Sequence, residues 1–165
     1  KDMAASANTP ATHKFGDWET FESNWSIEGG SDLAKMLKGS VTAPTDDGAI
    51  SAVRLSAAVN ATADDAHKLT FSSMFTGGEV KDKDGNYVCS NPKELKLWLD
   101  SMLGKGKHMA SAEKAAGKRG IIYWSGDFGG YFELWDATET PSFKGGVKGA
   151  IDHWDDAKDC SLWEM

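Results

Sequence analysis

The chain has 165 residues, the length of about one domain, and apolar residues make up 40% of it. Charged residues make up only 26%, which argues against a disordered tail. The longest apolar run, Ile121 to Trp124, is far shorter than the roughly 20 residues of a membrane helix, so we expect no membrane partner. The formal net charge of −7, without a basic block, argues against a nucleic-acid partner.

The first residues are small and polar and carry no hydrophobic stretch of a signal peptide. We expect residues 1–14 to form a flexible segment and residues 15–165 to form a single domain. Because the chain begins with Lys1 rather than a methionine, a processed mature chain or a shortened version would explain its start.

The chain has two cysteines, Cys89 and Cys160. Joining them would close a long loop and would stabilise the fold by roughly 4 kcal/mol through loop entropy. We therefore predict a disulfide, an oxidising compartment and secretion; two separate buried thiols are the alternative.

Capping residues predict two short helices near the start of the chain. Asp17 can cap the first helix, and Ser31 can cap a second one that stops at Gly39. The apolar faces of both helices are expected to be core: Trp18, Phe21 and Trp25 in the first, and Leu33, Met36 and Leu37 in the second.

Two longer helices are predicted further along. One follows Asp46, Asp47 and Gly48, with apolar residues at helical spacing and many alanines that allow close packing. The other begins with Asn91 as its cap and Pro92 in its first turn, and it ends at Gly104.

The last third of the chain changes to short runs of β-branched and aromatic residues. Residues 120–125 and 130–136 flank a glycine-containing turn and predict a β-hairpin, and residues 161–165 predict a closing strand. Helices followed by an antiparallel sheet indicate the α+β class.

Several motifs, in this order, resemble the type VI secretion amidase effectors of family 4, which are papain-like or NlpC/P60-like peptidases that cut peptidoglycan stem peptides. Residues 51–56, Ser-Ala-Val-Arg-Leu-Ser, resemble the family's nucleophile helix. Residues 118–122 resemble its Lys-Gly-Ile strand, and residues 130–136, Gly-Tyr-Phe-Glu-Leu-Trp-Asp, resemble its histidine-bearing strand. Residues 161–163 resemble its closing Leu-Trp. The resemblance implies N-terminal helices packed on a C-terminal antiparallel sheet.

The family's chemistry requires a cysteine thiolate at a helix N-terminus and a histidine that exchanges a proton with it. At those two positions this chain has Ser51 and Tyr131. A serine hydroxyl is a poor nucleophile without a base, and a phenol that titrates near 10 is not such a base at neutral pH. We therefore expect no intact catalytic residue and a secreted, inactive, amidase-like protein.

The resemblance also implies where an old substrate cleft would lie. Its expected lining residues are Ser51, Arg54, Trp124, Phe128, Tyr131 and Glu133. The expected partners are peptidoglycan stem peptides, another cell-wall polymer, or a host or competitor protein.

Two alternatives would restore an active peptidase. An engineered Cys-to-Ser change would explain Ser51 but would leave Tyr131 unexplained. A relocated base would have to be one of His13, His67, His108 and His153, and His153 is the best of these because Asp152, Asp155 and Asp156 surround it. A solvated acidic turn is the simpler interpretation of that segment.

Neither a cofactor nor a metal is predicted. Residues 81–86 begin like a calcium loop, but the later acidic ligands and the closing glutamate are missing, so we expect a β-turn there.

Overall fold

The computed structural model describes residues 14–25, 37, 44–70, 75, 80–138, 143–144 and 153–165. Within these ranges three α-helices precede or flank one sheet: α1 (Trp18–Ser23), α2 (Asp47–Thr62) and α3 (Pro92–Leu103). The side chains of Asp17, Asp46 and Asn91 accept hydrogen bonds from the first free backbone N–H groups of α1, α2 and α3, respectively. The predicted caps Asp17 and Asn91 are therefore confirmed, whereas α2 begins at Asp47, earlier than predicted.

The first helix is shorter than its apolar pattern predicts. It ends at Ser23, and Asn24 caps its last turn, so Trp25 follows the helix instead of belonging to it. Trp25 is nevertheless buried in the core beside Trp18 and Phe21. The second predicted helix, with its cap at Ser31, lies outside the described residues apart from Leu37, which forms an isolated bridge to Asp82.

The strands form an antiparallel sheet with the order β1-β5-β2-β3-β4. The predicted hairpin is confirmed as β2 (Arg119–Gly126) paired with β3 (Gly129–Asp136), and β5 (Ala157–Glu164) pairs with the other side of β2. The closing strand thus begins earlier than predicted. Two short edge strands, β1 (Lys107–His108) and β4 (Phe143–Lys144), complete the sheet.

Side chains on the two faces of the sheet belong to two separate core clusters, because successive residues of a strand point to opposite faces. One cluster packs Ile121 and Phe132 against α1, α2 and α3. The other packs Ile122, Trp124 and Trp135 beneath the segments around residues 109–115 and 154–157. The α+β class, with helices packed on an antiparallel sheet, is confirmed.

Helix α2 lies against the edge of β3 rather than across the middle of the sheet. A Cβ atom added to Gly48, in the first turn of α2, would stand 2.4 Å from the backbone oxygen of Gly130. Within the described ranges β4 pairs with β3 only at Leu134 and Trp135, and the start of α2 lies beside the other end of β3. Glycine at position 48 is what allows this close approach.

The predicted disulfide between Cys89 and Cys160 is wrong, since both thiols are free and buried. Cys89 belongs to the cluster on the helix side of the sheet, whereas Cys160 belongs to the cluster on the opposite face. A disulfide requires Cα atoms within about 7 Å and side chains that converge, and the sheet separates these two. Burial raises the pKa of Cys89 to about 11 and that of Cys160 to about 12.

The remaining predictions about organisation have different outcomes. The β-turn at residues 82–85 is confirmed, and Asp82 Oδ1 accepts the backbone N–H groups of Asp84 and Asn86 there. Residues 1–13 lie outside the described ranges, so the flexible segment and the single domain stay predictions. No helix in the described ranges is long and apolar enough to span a bilayer.

Replacing Gly48 tests the close approach of α2 to β3. We expect Gly48→Ala to destabilise the protein by about 1–3 kcal/mol, as overpacking typically does. Helix propensity alone predicts the opposite, a gain of about 1 kcal/mol. The control is Ala61→Gly on the exposed side of α2, which should cost up to about 1 kcal/mol. Urea denaturation measures both, and a stabilised Gly48→Ala protein would contradict the edge packing.

Candidate functional site

Ser51 lies one turn into α2 and is fully buried. Its hydroxyl donates a hydrogen bond to the backbone oxygen of Gly48 at 2.7 Å and accepts one from the backbone N–H of Phe132 at 3.0 Å. The second bond joins α2 to β3. The Ser51 hydroxyl thus holds the helix against the strand edge.

Tyr131, on β3, is almost completely buried at 2% exposure. Its hydroxyl donates to Glu133 Oε2 at 3.1 Å. Burial, and next the charge of Glu133, raise the pKa of Tyr131 well above its ordinary value of 10. At neutral pH this side chain is therefore a neutral hydrogen-bond donor.

Glu133 is fully buried and accepts hydrogen bonds from several directions. Its Oε1 accepts from Trp25 Nε1 at 3.1 Å and from the backbone N–H of Leu134 at 3.3 Å. Burial raises the pKa of Glu133 to about 7, although its hydrogen bonds and the charge of Arg54 act in the opposite direction. The sequence alone does not indicate this buried, titratable carboxyl group.

Arg54 completes this buried group of polar side chains. It is fully buried on α2, and its guanidinium carbon lies 5.8 Å from the centre of the Trp25 ring, within the range of a cation–π contact. Arg54 thus places a positive charge near Tyr131 and Glu133 of β3, where it opposes the rise in their pKa values.

A pocket of about 230 Å³ opens where α2 begins, and we call it the inner pocket. Its lining residues come from the start of α2, from the hairpin and from the segment before β5: Asp46, Asp47, Gly48, Phe128, Gly130, Tyr131 and His153.

His153 contributes much of the inner pocket's wall. Its ring stacks on Phe128 at a centroid distance of 3.8 Å and meets Tyr131 edge-on at 5.2 Å. Its Nδ1 lies 3.0 Å from Asp156 Oδ1. The run of aspartates around His153 is the sequence signal for this pairing, whereas the sequence did not indicate that Asp46 and Asp47 line a pocket.

A second pocket of about 420 Å³, the outer pocket, adjoins the inner one and shares Asp46, Phe128 and Gly130 with it. The cap of α3 forms its far wall, with Ser90, Asn91, Pro92 and Lys93. The two pockets together form a cleft that runs from His153 to the start of α3.

The structure divides the six residues expected to line a cleft into two groups. Phe128 and Tyr131 line the inner pocket. The other four are fully buried behind its walls or in the core, namely Ser51, Arg54, Trp124 and Glu133. In the described part of the chain, no group of three or more histidine, cysteine or acidic side chains converges to hold a metal ion.

Comparison with solved structures yields proteins of similar fold. No protein-family model matches this chain, and no curated protein matches it. Among solved structures, a chain of the Tae4–Tai4 type VI effector–immunity complex from Enterobacter cloacae is 22% identical, with a TM-score of 0.63 over 94% of this chain and 98% of that chain.

Two further solved structures have a similar fold. The type VI effector Tae4 from Enterobacter cloacae is 21% identical, with a TM-score of 0.62 over 94% of this chain and 96% of that chain. A chain of the Tae4–Tai4 system from Salmonella typhimurium is 17% identical, with a TM-score of 0.64 over 96% of this chain and 99% of that chain. The chain therefore has the papain-like fold of the Tae4 type VI effectors, as its motifs predict.

The Ser51→Ala variant tests whether the Ser51 hydroxyl stabilises the fold. The variant leaves the N–H of Phe132 buried without an acceptor, so we expect a loss of about 1–3 kcal/mol in the free energy of unfolding. The matched control is Ser101→Ala, since the exposed Ser101 also donates to a helix carbonyl three residues earlier and should change stability by less than about 0.5 kcal/mol. Equal stability of the two variants would contradict the structural role.

The pKa of Glu133 predicts a pH dependence of stability. Because this pKa is raised in the folded protein, the folded state keeps a proton that the unfolded state has lost between about pH 4.5 and pH 7. Stability from this group is therefore present at low pH and falls as the pH rises through about 7. Glu133→Gln stays neutral throughout and removes this dependence.

From pH 4.5 to pH 8 we expect Glu133→Gln to gain up to about 3 kcal/mol relative to the wild type, at about 1.4 kcal/mol per pKa unit. Denaturation curves at several pH values measure the difference. The exposed Glu19 provides the control, since Glu19→Gln removes a carboxylate that is not buried. A difference between wild type and Glu133→Gln that is independent of pH would contradict the prediction.

Proposed function

We propose that this protein is a catalytically inactive relative of the peptidoglycan amidase effectors and that it acts by binding through its cleft. The observation that carries the proposal is the hydroxyl of Ser51, which is buried and already makes a hydrogen bond as donor and another as acceptor. A nucleophile needs an exposed, deprotonated atom beside a base.

Tyr131 supports the same conclusion. The mechanism of cysteine peptidases needs a base beside the nucleophile, here near Ser51. Burial and the charge of Glu133 raise the pKa of the Tyr131 phenol above 10, so Tyr131 is not such a base at neutral pH. Loss of a general base alone slows such reactions by about 10²- to 10⁴-fold. Both requirements of the family's chemistry are thus unmet in this chain.

The fold and the cleft support peptidoglycan stem peptides as the first ligand to test. The cleft combines aromatic rings, carboxylates and backbone groups along the edge of the sheet, a composition typical of binding sites. Another cell-wall polymer is the second candidate ligand. Since fold alone does not determine function, binding to either must be measured.

We also propose that the chain is an exported effector with a protein partner. Solved structures with the same fold include effectors in complex with Tai4 immunity proteins. By analogy, an immunity-type protein, or a host or competitor protein, would bind a surface of this chain. Because both cysteines are free, the fold similarity and not a disulfide supports the proposed secretion.

One observation favours a second candidate, an active cell-wall peptidase with a relocated base. His153 lines the inner pocket and is paired with Asp156, an arrangement that orients a catalytic histidine. Among the described lining residues of that pocket, however, there is no serine, threonine or cysteine. A peptidase of this kind would have to activate water.

Incubation with bacterial sacculi distinguishes the two candidates. We expect the purified protein to pellet with sacculi and to leave the chromatogram of soluble muropeptides unchanged, while a Tae4 effector run in parallel releases stem peptides. Ser51→Cys should also release none, because the new thiol is buried and still lacks an imidazole. Stem peptides released by the wild type and not by His153→Ala would establish the second candidate.

A further inference from the structure

We propose that the inner pocket binds an ammonium group, at the end of a side chain or at the amino terminus of a peptide. This inference rests on the proposed function, because the inner pocket is part of the cleft to which we assign peptide binding. It adds the chemical class of the group that is recognised.

The first argument is the aromatic wall of the pocket. Phe128 and His153 stack nearly parallel, with 12° between their planes, and Tyr131 stands at 66° to His153. Trp124 supports this group from behind, 6.4 Å from Tyr131. The electron-rich faces of phenyl and phenol rings attract a cation that is placed within about 6 Å of the ring centre.

The second argument is the charge of the opposite wall. Asp46 and Asp47 are exposed at the start of α2, and the charge of Asp47 acts on the buried hydroxyl of Tyr131, where it is one of the smaller causes of the raised pKa. The described lining residues include no lysine or arginine. The two aspartates and the aromatic residues thus line one space, which can hold a cation.

The cations nearby do not occupy that space. Arg54 is buried behind Tyr131, and Lys158 pairs with Asp127 at 2.6 Å on the turn of the hairpin. Lys93 lines the outer pocket instead. Among the described lining residues His153 can carry a positive charge, but it is already paired with Asp156. A ligand's ammonium group would therefore supply a positive charge beside Asp46 and Asp47.

The helix end itself does not favour an anion. The N-terminus of a helix attracts anions through its free N–H groups, but Asp46 Oδ2 already accepts the N–H of Ala49. The macrodipole contributes only about half a positive charge, which two carboxylates outweigh.

The size of the pocket limits the ligand group. Its volume of about 230 Å³ lies below the roughly 300 Å³ at which pockets for whole small molecules begin. It is suited to a single side chain or chain end, and the remainder of a peptide would continue into the outer pocket past Phe128 and Gly130.

The probe is Nα-acetyl-lysine amide, and its Nε-acetylated form is the neutral counterpart. Titration followed by NMR should show amide shifts at Phe128, Gly130 and His153 with the charged probe, and about tenfold weaker binding of the neutral one. Asp46→Asn and Asp47→Asn should each weaken binding of the charged probe about tenfold. Asparagine is as good a helix cap as aspartate, so Asp46→Asn removes the charge and keeps the helix start.

Asp127→Asn is the matched control, because it removes one exposed carboxylate on the adjacent turn, outside the pocket. It should bind the charged probe like the wild type. Equal affinity for the two probes, equal weakening by all three variants, or no binding of the charged probe at millimolar concentration would each overturn the ammonium site.

Retention of the protein by sacculi distinguishes a failure of the ammonium site from a failure of cell-wall binding. If native sacculi retain the protein and sacculi with acetylated amino groups do not, both proposals are supported. If both preparations retain it equally, the ammonium site is overturned and cell-wall binding stands. If the lysine probe binds in the inner pocket but neither preparation retains the protein, cell-wall binding is overturned and the ammonium site stands.

Discussion

The hydrogen bond from the Phe132 N–H to the Ser51 hydroxyl is the contact on which the geometry of the cleft depends. It holds the start of α2 against the part of β3 that β4 does not pair with in the described ranges. Gly48 permits the close approach, and the aspartates at the helix start are thereby placed opposite the hairpin. One hydroxyl thus links the packing of the helix to the shape of the pocket.

The features that local sequence determines were predictable. Aspartate and asparagine caps, a first-turn proline and a glycine stop specify α2 and α3 with little help from the rest of the chain. The hairpin was predictable because two β-rich runs flank a short glycine-containing turn. Ser51 and Tyr131 could be singled out as candidate site residues because the residues around them resemble the family's motifs in the same order.

The features that depend on distant neighbours were not predictable. The edge strands β1 and β4 have two residues each and exist only through β5 and β3. The inner pocket is lined by the start of α2, by the hairpin and by His153, which are up to about a hundred residues apart in the chain. No local sequence pattern indicates that these segments lie together. In the sequence, Glu133 looks like an ordinary residue of a strand with alternating exposure. Its burial could not be predicted because Trp25 and Arg54, which surround it, come from other segments of the chain.

The two cysteines are placed so that the fold does not depend on a disulfide. Cys89 and Cys160 lie in separate clusters on opposite faces of the sheet, and burial keeps both thiols protonated at physiological pH. The described structure therefore contains no disulfide that has to form during folding, and a change in redox potential removes no covalent bond from it. The described fold is thus held together by the same contacts in reducing and in oxidising surroundings.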